Sequence, residues 1–334
     1  MDQVRVGIIG LRMGGSHLRA AASLPGVRVR SICDTDQGRL EQVRAENGIE
    51  RATTDYRQLV DDPELDVVVV ASPDHFHRDH TVHALEAGKH VLCEKPMAWT
   101  LPECADMVAA AGRAGKQLMI GHLVRFTPVF AYLKQVAGRG ELGELYHVSS
   151  TYEHDYARVG GAWRFDPKLA RHVFLGGGCH SVDLMRHFLG EVNRAVAVGS
   201  HKALPQMPRD DTVAALYSTP AGQIGHVFVG GGARRPYVLS LALYGTKGTA
   251  LATNVDSEAR LWTTDMLDTL GDRWLTIPAP LDNHPVGTQM RHFLECVRTG
   301  AQPLVTGEDG MRTVAAALAA IEASETGKPV EIAR

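Results

Sequence analysis

No charge of either sign is in surplus in this chain: 35 Lys and Arg stand against 38 Asp and Glu, a formal charge of −3. Nothing is left over to hold a phosphate backbone, which argues against a nucleic-acid partner. Long apolar runs are missing too. The roughly 18 successive apolar residues of a membrane span occur nowhere, and "MDQVRVGIIG" has neither the basic stretch nor the apolar core of a secretory leader. Both absences point to a soluble cytoplasmic protein without a membrane partner. Cysteine is sparse and scattered. Cys33, Cys93, Cys104, Cys179 and Cys296 form no C-x-x-C pair and read as buried reduced thiols, not a disulfide frame. Low-complexity tracts and repeats of fixed period are also absent.

What is present is enough chain for two domains, since 334 residues exceed what a single core of roughly 250 to 300 usually holds. The expected boundaries are residues 1–122 and 123–334, with the last helices free to pack back on the first domain. Up to Gly121, strand-like runs at Val4–Gly10, Val27–Asp34, Asp66–Ala71, His90–Glu94 and Gln117–Gly121 alternate with helical stretches. The helices at Asp36–Asn47 and Leu101–Ala114 are each closed by a glycine, Gly48 and Gly115. "VVVVAS" is an unbroken apolar run, as in a strand covered on both faces. The first domain is therefore α/β, a Rossmann-type doubly wound parallel sheet. After it, runs at 145–153, 192–200, 211–218, 223–230, 237–244 and 249–254 follow with only one helix, near 180–189, before two late helices at about 286–299 and 308–325. This half is α+β: an open, mainly antiparallel sheet with helices on one face. Its other face needs cover, and a homodimer or homotetramer formed through it is expected.

"VGIIGLRMGGSHL" joins the first strand to the first helix, where a dinucleotide-binding turn belongs. As G-x-G-x-x-G it offers Gly10, Arg12 and Gly15, without the middle glycine; as a loop one residue shorter, Gly10 and Gly14 are the working pair. Arg12 is placed to lie along a pyrophosphate. Asp34 ends the second strand 24 residues after Gly10, where a carboxylate accepts a ribose 2′-OH and repels a 2′-phosphate, favouring NAD over NADP. "SPDHFHRDHTVH" raises a zinc alternative at His75, His77, His80 and His83, but no carboxylate or cysteine completes a ligand set. No metal is expected, and these histidines are read as facing solvent at a helix start.

The run "SPDHFHRDHTVHALEAGKHVLCEKPMA", with the dinucleotide turn upstream, resembles the Gfo/Idh/MocA oxidoreductases. "GGGCHSVDLMRHFLGEV", "YGTKGT" and "TGEDGMRTVAAALAAIEASETGKPVEI" resemble that family in order and spacing. The resemblance implies a first domain that binds nicotinamide cofactor and a second that holds substrate. It implies cofactor contacts from Gly10, Leu11, Arg12, Met13, Asp34, Ser72, Pro73, His75, Glu94 and Lys95. Lys95 of the E-K-P turn becomes the catalytic cation, with Pro96 holding it out of the helical region. His180, in a D-x-x-x-H-x-x-D motif, becomes the acceptor of the substrate proton, kept neutral by its place at a helix start. The implied substrate contacts are Lys95, His122, Asp155, Tyr156, Arg164, His180 and Tyr237, with Asp166 a further candidate.

The motif is incomplete, because its first aspartate is replaced by Gly176 in a run of three glycines, while Asp183 matches the last. Asp155 or Asp183 is then the candidate support behind His180, or the glycines make room for a bulkier substrate. The function these residues imply is NAD-dependent oxidation of a secondary hydroxyl of a sugar, sugar derivative or cyclitol. The alternatives are an NAD-recycling glycosidase or epimerase that works through a transient keto-sugar, and a non-catalytic NAD- or carbohydrate-binding relative.

Overall fold

The computed structural model describes residues 3–158 and 165–332. It comprises two compact units, Met1–Leu123 with Pro285–Val314 and Val124–His284 with Ala315–Arg334.

In the first unit strands β1 (Val4–Ile9), β2 (Val27–Cys33), β3 (Arg51–Thr53), β4 (Val67–Val70), β5 (His90–Cys93) and β6 (Leu118–Ile120) alternate with helices. These are α1 (Leu11–Ala22), α2 (Gln37–Asn47), α3 (Tyr56–Val60), α4 (His77–Glu86) and α5 (Leu101–Ala114). The six strands are parallel, in the order β3-β2-β1-β4-β5-β6. Winding reverses between β1 and β4, and ligands of such sheets bind beyond the carboxyl ends of the strands at that point. Val67 to Val70 are fully buried; their branched side chains favour an extended backbone, and each buried valine contributes about 1.5–3 kcal/mol. α2 and α5 stop at Gly48 and Gly115, both left-handed, and α5 starts with a Thr100–Glu103 capping box. β3 escapes sequence reading because three residues are too few to show alternation.

The second unit contributes α6 (Pro128–Gly138), β7 (Leu145–Glu153), α7 (Val173–Gly176), α8 (Cys179–Leu189), β8 (Arg194–Ser200), β9 (Thr212–Ser218), β10 (Ile224–Gly230), β11 (Val238–Gly245), β12 (Gly248–Thr253), β13 (Glu258–Thr263), α9 (Leu267–Leu270) and β14 (Leu275–Pro278). α10 (Val286–Thr299), α11 (Gly307–Thr326) and β15 (Val330–Glu331) end the chain; α10 packs on α1 within the first unit. The large sheet has nine strands in the order β14-β13-β12-β11-β7-β10-β9-β8-β15. Its pairs are antiparallel except β7 with β10. Burial alternates along it: Val213, Ala215 and Tyr217 of β9 are covered while Leu216 is exposed. α8 lies on β7 and β10. On the open face Val196, Val198, Leu216 and Ile224 remain exposed, and Val196 stands opposite Leu216. The five cysteines are free and buried. Among the described residues no helix is long and apolar enough to cross a membrane.

Candidate active site

β1 enters α1 through Gly10, whose φ of 86° glycine adopts without strain. A Cβ there would lie 2.5 Å from the Ala71 carbonyl oxygen beyond β4. A Cβ on Gly14 would meet Ile8 Cγ2 at 2.8 Å, whereas one on Gly15 would find nothing nearer than Arg19 at 3.8 Å. Gly10 and Gly14 are thus the pair the backbone requires, and the loop is the shorter of the two readings. Leu11, Arg12 and Met13 form a first turn with no acidic residue of its own and no cap from Gly10, and the carboxylate that reaches its amino end comes from β2. Asp34 Oδ2 accepts the Leu11 N–H at 2.8 Å and Oδ1 accepts the Asp36 N–H at 2.9 Å. These bonds fix the carboxylate at the end of β2, beside this loop.

The ends of β4, β5 and β6 lie side by side. The Glu94 N–H bonds to Val70 O at 2.8 Å and the Gly121 N–H to Cys93 O at 2.7 Å, bringing Ser72, Glu94, Lys95 and His122 to one edge of the sheet. Pro73 and His75 are exposed in the short turn between β4 and α4. Glu94 does not pair with the Lys95 ammonium. Its Oε2 accepts the Lys95 backbone N–H at 3.1 Å, and its Oε1 lies 2.8 Å from Nε2 of the fully buried His17. Burial alone would raise the Glu94 carboxyl, but the His17 hydrogen bond and charge, with Lys95 close by, hold it down at about 2. Lys95 is half-buried, and the Lys95–Pro96 peptide is cis. His122 is buried at the end of β6.

In the second unit His180 lies in the first turn of α8, buried, and Asp183 follows one turn on. Both Asp183 oxygens receive Arg125, at 2.9 and 2.7 Å, with both residues buried. This is a fork pair whose first duty is to neutralise a buried guanidinium. Asp155 Oδ1 accepts Arg234 Nη1 at 2.8 Å and the Ala157 N–H at 3.2 Å. The glycine triplet does not open a void. A Cβ on Gly176 would meet Arg171 Nε at 2.9 Å, one on Gly177 the Tyr156 hydroxyl at 2.3 Å and Tyr152 at 2.5 Å, and one on Gly178 Phe174 O and Val229 at 2.6 Å. The expectation of extra room is therefore corrected: protein atoms already line all three positions, and the Arg171 side chain takes the space of the motif's missing carboxylate. Tyr156 and Tyr152 hydroxyls are 3.4 Å apart, and the Tyr237 ring lies 5.4 Å from that of Tyr152 and 5.0 Å from that of His154. Burial pushes the Tyr237 hydroxyl up. Asp166 Oδ1 accepts the Lys168 N–H at 2.8 Å. Arg164 lies outside the described residues.

The histidine-rich segment also needs correction. His77 and His80 do not face solvent but are buried. The His77 ring nitrogens lie 2.8 Å from Pro96 O and 3.0 Å from Ser72 O, and His80 Nδ1 lies 2.9 Å from Ser72 Oγ. Among the described residues no three His, Cys, Asp or Glu side chains are grouped to hold a metal ion. Sequence reading missed His17, although a polar residue on the inward stripe of α1 with Leu11, Leu18 and Ala21 was a usable signal. It missed Arg125 and Arg171, for which local spacing holds no clue.

Comparison with known proteins agrees with this geometry. The family model described as an oxidoreductase family with an NAD-binding Rossmann fold matches residues 4–122, and the GFO/IDH/MocA C-terminal domain model matches residues 130–251. Inositol 2-dehydrogenase 1 of Saccharopolyspora erythraea is 30% identical over 98% of this chain and 96% of its own length. The chain belongs to the Gfo/Idh/MocA oxidoreductase family. Myo-inositol 2-dehydrogenase of Thermotoga maritima, another relative, is 27% identical over 98% of each chain. A structure of levoglucosan dehydrogenase with NADH and L-sorbose shares the fold, with a TM-score of 0.92 over 100% of both chains at 24% identity. As in the rest of the family, the first unit is an NAD-binding Rossmann domain. The close Gly10 turn and the Asp34 carboxylate fixed at the start of α1 fit that cofactor.

Proposed function

We propose that this family member is an NAD-dependent dehydrogenase that oxidises a secondary hydroxyl of a sugar, sugar derivative or cyclitol. The observation that carries this reading is the Glu94-Lys95-Pro96 turn. It sets a half-buried ammonium at the end of β5, one strand from the β1–β4 crevice, with its backbone N–H tied to Glu94. Bound NAD supplies the hydride acceptor. Lys95 stabilises the negative charge that builds on the carbinol oxygen as the C–H bond breaks, an effect strongest where water is excluded. His180 takes the hydroxyl proton, and a ketone is left. Asp34 selects against a 2′-phosphate. Support behind His180 falls to Asp155 or Asp183, with His122, Tyr156, Arg164 and Tyr237 as substrate contacts.

The test is a panel of monosaccharides, glycosides and inositols, followed by NADH absorbance with NAD and NADP in parallel. Steady NADH formation on at least one member, with NAD preferred, is expected. Turnover without net NADH would favour the cofactor-recycling alternative, and no turnover at all the non-catalytic one. The open apolar face of the large sheet supports self-association as a homodimer or homotetramer through that face. Sedimentation equilibrium showing only monomer at micromolar concentration would overturn that part.

A further inference from the structure

His77 opens α4, yet its ring turns inward and is only 1% exposed. Nδ1 lies 2.8 Å from the Pro96 carbonyl oxygen and Nε2 lies 3.0 Å from the Ser72 carbonyl oxygen. A carbonyl oxygen only accepts. A neutral imidazole has one N–H and one bare nitrogen, so either tautomer would set a lone pair against one of these oxygens. The imidazolium alone donates to both. We infer that His77 is held as a buried imidazolium that bolts the loop after β4 to the turn after β5, and so positions Lys95. It is a positioning residue, and its link to catalysis rests on the proposed role of Lys95.

The opposing effects are identifiable. Burial works against the charge, as does the positive end of α4. Against burial stand the Cys93 sulfur and then the two carbonyls, which together raise the ring to about 9. The titratable groups facing it are Cys93 from β5, His75 from the preceding turn and His80 from α4. His80 is lowered to about 4, by burial first and by the His77 charge second. It therefore sits neutral against Ser72 Oγ. Ser72 is thus gripped twice, and the charged grip is the one that reaches the Lys95–Pro96 turn. Beyond the last ladder bond, from Glu94 N–H to Val70 O, His77 provides a bridge between the two segments.

The charge state is read from the ring nitrogen shifts of the whole protein labelled with 15N-histidine at pH 8, assigned by the signal lost in His77→Gln. Two protonated ring nitrogens are expected. One protonated and one bare nitrogen would overturn the inference. Should His77→Gln not fold, contacts from the ring protons to Cys93 and Pro96 assign the signal in the wild-type protein. His77→Gln removes the charge and puts both donors on one nitrogen, in place of two ring nitrogens that each face a carbonyl, so its kcat should fall about tenfold or more with substrate KM within about threefold. In a Lys95→Ala background the same change should cost nothing further. An unchanged kcat, or a full additional loss in that background, contradicts positioning through Lys95. Full activity of Lys95→Ala by itself would remove the catalytic reading and with it the positioning role. The nitrogen shifts would still decide the charge state independently.

Discussion

The polar groups described near Lys95 and those described on the second unit are held by different mixes of partners. In the first, backbone atoms hold Asp34 through the Leu11 N–H and His77 through two carbonyls, while Glu94 takes both the Lys95 N–H and the His17 side chain. In the second, arginines predominate: Asp183 is paired with Arg125 and Asp155 with Arg234 as well as the Ala157 N–H, while Arg171 fills the space beside Gly176. A backbone partner is present whatever the side chains are, whereas an arginine partner comes from a distant stretch of sequence. Short motifs in the sequence therefore show more of the first arrangement than of the second.

The sharpest way to break this contrast is Asp183→Asn, which removes the carboxylate charge that the buried Arg125 fork holds. A loss of about 3–5 kcal/mol in urea unfolding is expected. A smaller change is expected at Glu94, through pH. Its folded value of about 2 lies below the ordinary 4.5, so the stability it contributes is fully present above about pH 4.5 and is lost as pH falls towards 2. The amount is on the order of 3 kcal/mol, and Glu94→Gln should flatten that part of the stability profile. Asp34→Ala should shift the NAD to NADP preference about tenfold towards NADP in initial rates. The smallest effect belongs to the open sheet face: Val198→Lys should dissociate the proposed oligomer in sedimentation while changing protomer stability by no more than about 0.5 kcal/mol.

The parallel sheet was readable because burial on both faces writes itself as unbroken valine, and because Gly48 and Gly115 mark helix ends. The antiparallel sheet was readable in its middle strands, where one covered face imposes alternation. β13, β14 and β15 escaped: β14 and β15 are short and mostly exposed, so no apolar pattern is selected in them, while β13 was missed although its burial alternates. At the site, the places of Gly10 and Asp34 followed from spacing, whereas Glu94 and Lys95 were singled out through the family resemblance. The burial of His77 and His80 was not legible, since the partners are two backbone carbonyls for His77 and the Ser72 hydroxyl for His80, which local spacing does not announce. Nor was the filling of the glycine triplet, which depends on Arg171, Tyr152 and Tyr156 arriving from elsewhere.

The central claim is that hydride leaves a carbinol carbon while Lys95 steadies the oxygen. It is tested most directly with the best substrate of the panel carrying deuterium on that carbon. The account predicts NADH labelled at the nicotinamide ring, formed with a primary isotope effect, and formed about a hundredfold more slowly or worse by Lys95→Ala. Unlabelled NADH, or labelled NADH made at the wild-type rate by Lys95→Ala, would contradict it.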